Sequence, residues 1–179
     1  MRFISLLVIA IFLMTSCGNK KTANLPPAPA DVNSVVTTIK GKKYKATQLG
    51  LISTLISDKN NPYEWFDEIK DTTPFFKNYE KQQMNFAIHF INDTAAELIQ
   101  DTLVNKALWM IDNDPKGSET PGIFMRLSIE KEETVVPGQT GKSTHTFSYK
   151  VLGLDDKQLF LETPNVYNSR KLAVLLKAE

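Results

Sequence analysis

The chain has 179 residues, with 21 basic and 20 acidic side chains, two histidines and a single cysteine. Its 42% of hydrophobic residues, including ten Phe, five Tyr and two Trp, exclude a wholly disordered chain and suffice for one domain's core. The near-neutral balance gives no global field to draw in nucleic acid or anionic headgroups, and one cysteine excludes an internal disulfide.

The chain opens on Arg2 and an apolar segment from Phe3 to Met14, shorter than the about 20 residues that cross a bilayer core of ~30 Å. A basic start, a short apolar middle and the small residues Thr15 and Ser16 before Cys17 predict a secretory signal peptide over residues 1–16. Met14-Thr15-Ser16-Cys17 resembles the lipobox of bacterial lipoproteins. That resemblance implies cleavage before Cys17, a diacylglycerol thioether on its sulfur and a fatty-acylated amine. It places the protein on a membrane of the cell envelope, most simply the outer membrane facing the periplasm. One acyl chain, at ~0.8 kcal/mol per buried methylene, anchors marginally, whereas two or three anchor durably. Lipidation also uses the one thiol, leaving none for a metal site or a nucleophile. Residues 17–35 follow as anchor and tether. Within them Leu25-Pro26-Pro27-Ala28-Pro29-Ala30 favours extended polyproline geometry and reads as a semi-stiff spacer.

The domain is expected over residues 36–179. Asp31 caps one helical turn just ahead of it, and a first strand is expected around 41–54. Asn61 and Pro62 predict a short helix from Pro62 to Ile69, with Trp65 and Ile69 four apart on one face. Phe75, Phe76 and Tyr79 continue an aromatic-rich insertion between strands 1 and 2, expected to plug a core or cover a barrel mouth. From Met84 the rhythm has period two: Met84, Phe86, Ile88 and Phe90 share one face. Asn92-Asp93 signals a hairpin into Thr94 to Gln100, and Val104 to Asn113 is the next strand. Gly122 to Glu130 sets Ile123, Met125, Leu127 and Ile129 inward. Val136 to Ser143, with Pro137, Gly138 and Gly141, reads as a loop. Thr144 to Leu152, with Phe147, Tyr149 and Val151, leads through a turn at Gly153 to Asp156 into Lys157 to Glu162, and Arg170 to Lys177 closes the chain. These elements predict an all-β fold, an eight-stranded antiparallel up-and-down barrel, with no amphipathic helix longer than about two turns.

Ile39-Lys40-Gly41-Lys42-Lys43-Tyr44-Lys45 resembles the opening of small bacterial lipocalin-like domains, with Tyr44 where their Gly-x-Trp signature has tryptophan. Ala107-Leu108-Trp109-Met110-Ile111 is similar to that family's mid-domain tryptophan strand. The run from Phe147 to Leu161 is similar to its late hairpin, in which an aromatic strand meets an acidic turn and then an apolar strand. The likeness covers about residues 39–178 and implies a barrel whose apolar interior takes a small ligand. Candidate pocket residues are Trp65, Phe86, Phe90, Trp109, Met125, Phe147 and Tyr149, although bulky inward side chains leave a narrow pocket at most.

Catalytic and metal chemistry find no foothold. Gly141-Lys142-Ser143 precedes a strand where a phosphate loop needs a helix N-terminus, and Asp112 to Gly117 puts Lys116 at a calcium-ligand position. His89 and His145 have no second histidine or cysteine at metal spacing, and His145 beside Ser143 and Ser148 lacks a nucleophile turn. Asp71-Thr72-Thr73, Asp93-Thr94-Ala95 and Asp101-Thr102-Leu103 resemble the O-glycosylation sequon of exported proteins in one group of Gram-negative bacteria, which makes Thr72, Thr94 and Thr102 candidate acceptors. The sequence therefore predicts a non-enzymatic, lipid-anchored envelope protein without cofactor, metal or nucleic acid, whose barrel binds or carries a small hydrophobic ligand. The alternative is a structural lipoprotein with a solid barrel that docks another envelope protein.

Overall fold

The computed structural model describes residues 24–52, 62–68, 74–113, 121–136, 139–167 and 170–179. In chain order the elements are α1 (Val32–Ile39), β1 (Lys43–Ile52), β2 (Tyr63–Trp65), a 3-10 turn (Phe66–Glu68), α2 (Pro74–Met84), β3 (Phe86–Phe90), β4 (Ala95–Gln100), β5 (Leu103–Asn113), β6 (Ile123–Val136), β7 (Gln139–Leu154), β8 (Gln158–Tyr167) and β9 (Arg170–Ala178). Strands β1-β3-β4-β5-β6-β7-β8-β9 pair antiparallel in that order, and β9 returns to β1 from Tyr44↔Ala178 to Leu51↔Leu172. Eight strands thus close an all-β barrel. β2 lies outside the circuit, along the end of β1, with Gly50 opposite Trp65.

The alternation that predicted the strands also fills the barrel. Phe86, Ile88 and Phe90 of β3, Trp109 of β5, Met125, Leu127 and Ile129 of β6 and Tyr149 and Val151 of β7 join one buried cluster. At one end of that cluster Phe90 meets Tyr44 and Trp109 edge-on, with ring centroids 6.2 and 5.1 Å apart. Towards the other end Phe86 stacks on Tyr149 at 5.9 Å.

Because β1 and β3 run antiparallel, the helices that lead into them sit at opposite ends of the barrel. α1 begins with a capping box: Asp31 Oδ1 accepts from the Ser34 amide at 2.7 Å, and Ser34 Oγ accepts from the Asp31 amide at 3.3 Å. The helix is longer than the single turn expected. Val35 and Ile39, four apart on one face, are both fully buried in the barrel core and hold the second turn. Gly41, at φ +73°, takes the left-handed conformation that redirects the chain into β1. At the far end α2 rests Tyr79 and Met84 against the core, and the Tyr79 hydroxyl donates to the Val166 carbonyl at 3.4 Å.

Several expectations are corrected. The helix expected from Pro62 to Ile69 is a short strand and a 3-10 turn over the described residues. Pairing with β1 puts Tyr63 and Trp65, two apart, on one side, which a helix could not do. The longer helix is α2, opened by Pro74 and carried by Lys, Glu, Gln and Met, all good helix formers, so the limit of about two turns fails. The loop expected from Val136 to Ser143 is almost entirely strand, with Glu133 opposite Gly141 and Lys131 opposite Ser143. β7 likewise continues through Leu154, and the turn is the shorter Asp155-Asp156-Lys157, where Asp155 Oδ1 accepts from the amides of Lys157 and Gln158. The Pro-rich spacer does not stand clear of the barrel from residue 24 onward. Pro26 is buried, Leu25 packs on the outer wall, and the Pro27 carbonyl accepts from the Leu154 amide at 2.8 Å. Gly153 permits this docking, since a Cβ there would collide with the Pro26 carbonyl.

Tyr44 is fully buried, and its hydroxyl has no hydrogen-bond partner among the described residues. Burial, followed by the charges of Asp155 and Asp156, pushes this phenol from 10.0 up to about 12, and burial also raises Tyr149. Both phenols hold their protons more tightly folded than unfolded. For Tyr44 the stability linked to keeping the proton is therefore intact below pH 10 and is lost as pH rises towards 12, and Tyr149 shifts in the same direction. Tyr44→Phe is expected to raise stability at neutral pH by about 1 kcal/mol, by removing a desolvated hydroxyl. It should also move the alkaline unfolding limb upward. Urea melts at pH 7 and 11 measure both effects.

Candidate functional site

Of the seven pocket candidates, Phe86, Phe90, Trp109, Met125 and Tyr149 meet inside the barrel, and Phe147 packs half-buried beside them. Among the described residues Phe90 and Met125 are fully buried and Trp109 and Tyr149 nearly so, packed in one cluster. The cavity between α2 and the barrel, lined by Leu49, Gln82, Gln83, Phe86, Gln100 and Tyr149 among others, has a volume of about 40 Å³. That admits a few waters, well below the ~300 Å³ at which ligand pockets begin.

Trp65 is not with them. It is 1% exposed on the outside of the barrel, where it packs with Phe160, Ala173 and Leu175, its ring centroid 6.0 Å from that of Phe160. Tyr63 caps the group edge-on at 4.9 Å from Phe160, and Leu25 of the docked spacer joins it. Gly50 makes room, because a Cβ on it would stand 3.1 Å from Trp65 Cε3. Trp65 is thus neither plug nor lid but a buttress on the outer wall. A signal for it was present: the unbroken apolar run Leu172-Ala173-Val174-Leu175-Leu176 marks a strand buried on both faces. Trp65→Ala is expected to cost about 3 kcal/mol or more by urea melt, as a buried aromatic truncation does, while leaving the size of the interior cavity unchanged.

The opposite wall carries the same kind of run without the same cover. In Leu108-Trp109-Met110-Ile111, Trp109 points in, and its Nε1 donates to the Asn92 carbonyl at 2.9 Å. Leu108 and Met110 point out and are 65% and 56% exposed. Val104 and Ile91 extend this apolar surface over β5 and the end of β3. Here the wall also opens. β5 pairs with β6 from Ala107↔Ile129 to Asn113↔Ile123, but Leu103 to Lys106 pair with β4 alone and Glu130 to Val136 pair with β7 alone. The cleft between them has a volume of about 640 Å³ and is lined by Ile91, Ala95, Val104 and Leu108 on one side and Ser128, Glu130 and Thr144 on the other. It reaches the small inward-facing residues Ala96 and Ala107, which leave the barrel wall thin at this point.

Polar groups elsewhere are local. His89 Nδ1 lies 3.1 Å from Glu97 Oε2, across the β3–β4 ladder. His145 Nε2 lies 3.0 Å from Ser143 Oγ, two residues apart on one face of β7. Ser143 sits within a strand, not on the sharp strand-to-helix turn that presents a nucleophile. Thr94 and Thr102 are exposed in the turns before β4 and β5, the second made possible by Asp101 at φ +56°. The signal segment over residues 1–16, Cys17, Thr72 and Ile69 lie outside the described residues. No protein family, curated protein or solved structure matches the chain.

Proposed function

We propose that this chain is a lipoprotein of the cell envelope, anchored through Cys17 in the outer membrane, whose filled barrel docks another envelope protein through the β4–β5 wall. The observation that carries the reading is the contrast between two apolar runs. On β9 the outward residues Ala173 and Leu175 lie beneath Trp65, whereas on β5 the outward residues Leu108 and Met110 are covered by none of the described residues. Large apolar side chains clustered on an outer wall are costly in water and mark interaction sites. The buried cluster that the described residues form inside the barrel, with a cavity of about 40 Å³ beside α2, supports the same reading. Carriage of a small apolar molecule is the second reading, and its support is the 640 Å³ cleft, not the interior.

The anchor and the docking wall are tested separately. Cys17→Ala is expected to abolish incorporation of a fatty-acid analogue and release the protein from the membrane fraction. Label that persists on the variant would remove the anchor. A photo-crosslinking amino acid at Leu108 in the native host is expected to give a discrete adduct that the same probe at Lys171, on the opposite wall, does not. Equal adducts, or none at Leu108, would remove the docking reading.

A further inference from the structure

We infer that the occupant of the β5–β6 cleft is an extended segment of the partner polypeptide, which adds as a β-strand to the open edge of β5 at Val104 and Lys106. This rests on the docking reading and specifies how the partner is held. The main-chain geometry carries the inference. In an antiparallel ladder the N–H and C=O of one residue point to the same side, and successive residues alternate sides. The Trp109 amide donates to the Thr94 carbonyl at 2.8 Å, so Trp109 faces β4. Counting back, Ala107, Asn105 and Leu103 also face β4, in register with Ala96, Leu98 and Gln100. Leu108, Lys106 and Val104 therefore face β6. Leu108 finds Ser128 there, but the ladder ends at Ala107↔Ile129, so Lys106 and Val104 direct two donors and two acceptors into the cleft. The same alternation on β6 directs the main chain of Glu130 and Glu132 at the cleft from its other side, since both share the phase of Ser128.

Ladder groups that the described residues leave unpaired specify backbone, and an extended chain presents backbone at the matching repeat. The outward side chains beside this edge alternate Val104, Lys106, Leu108, which selects a strand with apolar residues at alternate positions. A second copy of this chain is a poor fit through the same edge, because its own β5 is bound into β4. The edge is short and carries Lys106, features that guard against open-ended pairing while leaving room for one specific strand.

Proline at Lys106 removes an amide that the β4 ladder does not use, so it blocks strand addition without breaking the barrel. Lys106→Ala removes the charge and keeps the amide. With the photo-crosslinker at Leu108 in the native host, the adduct is expected to persist in Lys106→Ala and to fall at least about tenfold in Lys106→Pro. An adduct that survives in a folded Lys106→Pro overturns strand addition and leaves the docking reading standing. No adduct in any form removes both, and an adduct of twice the chain's own mass overturns a foreign strand in favour of a second copy. A second measurement needs no variant. In the purified protein the amides of Val104 and Lys106 should exchange with solvent far faster than those of Asn105 and Ala107. Equal protection at all four would mean that the edge is already paired, and would overturn the inference.

Discussion

The fold depends on the ladder between its first and last strands. A sheet rolled from β1 to β9 buries its inner face only when β9 reaches β1, and the register from Tyr44↔Ala178 to Leu51↔Leu172 joins the two ends of the domain. That closure removes the free edges an open sheet would expose, and it fixes which face of every strand is inside, because a one-residue slip would turn Leu172, Val174 and Leu176 outward together. It also spans most of the chain in sequence, so the entropy of closing the loop must be met by contacts formed late. β1 and β9 accordingly carry dense apolar inner faces, and β9 is buried on both sides.

Closure holds where pairing is complete, and the barrel relaxes it in one place. β6 and β7 are the longest strands, and beyond Ile129 they pair with each other and not with β5. The hairpin departs from the cylinder there and leaves β5 with a short edge. The nearby inward residues are small, Ala96 and Ala107, so the interior packing does not force the wall shut. A side chain filling the barrel and a split opening its wall are two outcomes of the same rule: inward volume decides how closely neighbouring strands are held.

Much of this was legible in the sequence, for a plain reason. Period-two alternation in Phe86-Ala87-Ile88-His89-Phe90 and Ile123 to Ile129 sets large apolar residues on one face and mostly small or polar ones on the other, so strands and their inward residues read directly. Tyr63-Glu64-Trp65 did not, because three residues show no period and their strand state comes from pairing with β1 at Gly50. Gln139 to Ser143 has loop composition yet is strand, since a hairpin needs a turn of two residues and the ladder carries polar arms beyond it. Of the seven pocket candidates, six lie in or beside the core, whereas Trp65 lies outside it, and nothing near it in sequence names Phe160 or Leu175 as its partners. The cleft was hidden for a different reason: it lies where two ladders stop, and a register end leaves no mark in composition. What the sequence did contain was the run Leu108 to Ile111, apolar on both faces, whose meaning turns on whether anything covers it.

The docked spacer has a consequence for how the molecule stands. Leu25 is held against β8 and β9 on the side of the barrel, so the chain leaves from the flank and not from an end. From Asn24 back to Cys17 there are seven residues, at most ~25 Å even fully extended. If Cys17 is lipidated, as proposed, so short a leash would hold the flank formed by β8 and β9 near the bilayer and lay the barrel on its side. In a circuit of eight strands β4 and β5 lie four positions from β8 and β9, directly across the cylinder. On that footing the apolar wall would be turned away from the lipid surface, towards whatever approaches through the aqueous compartment.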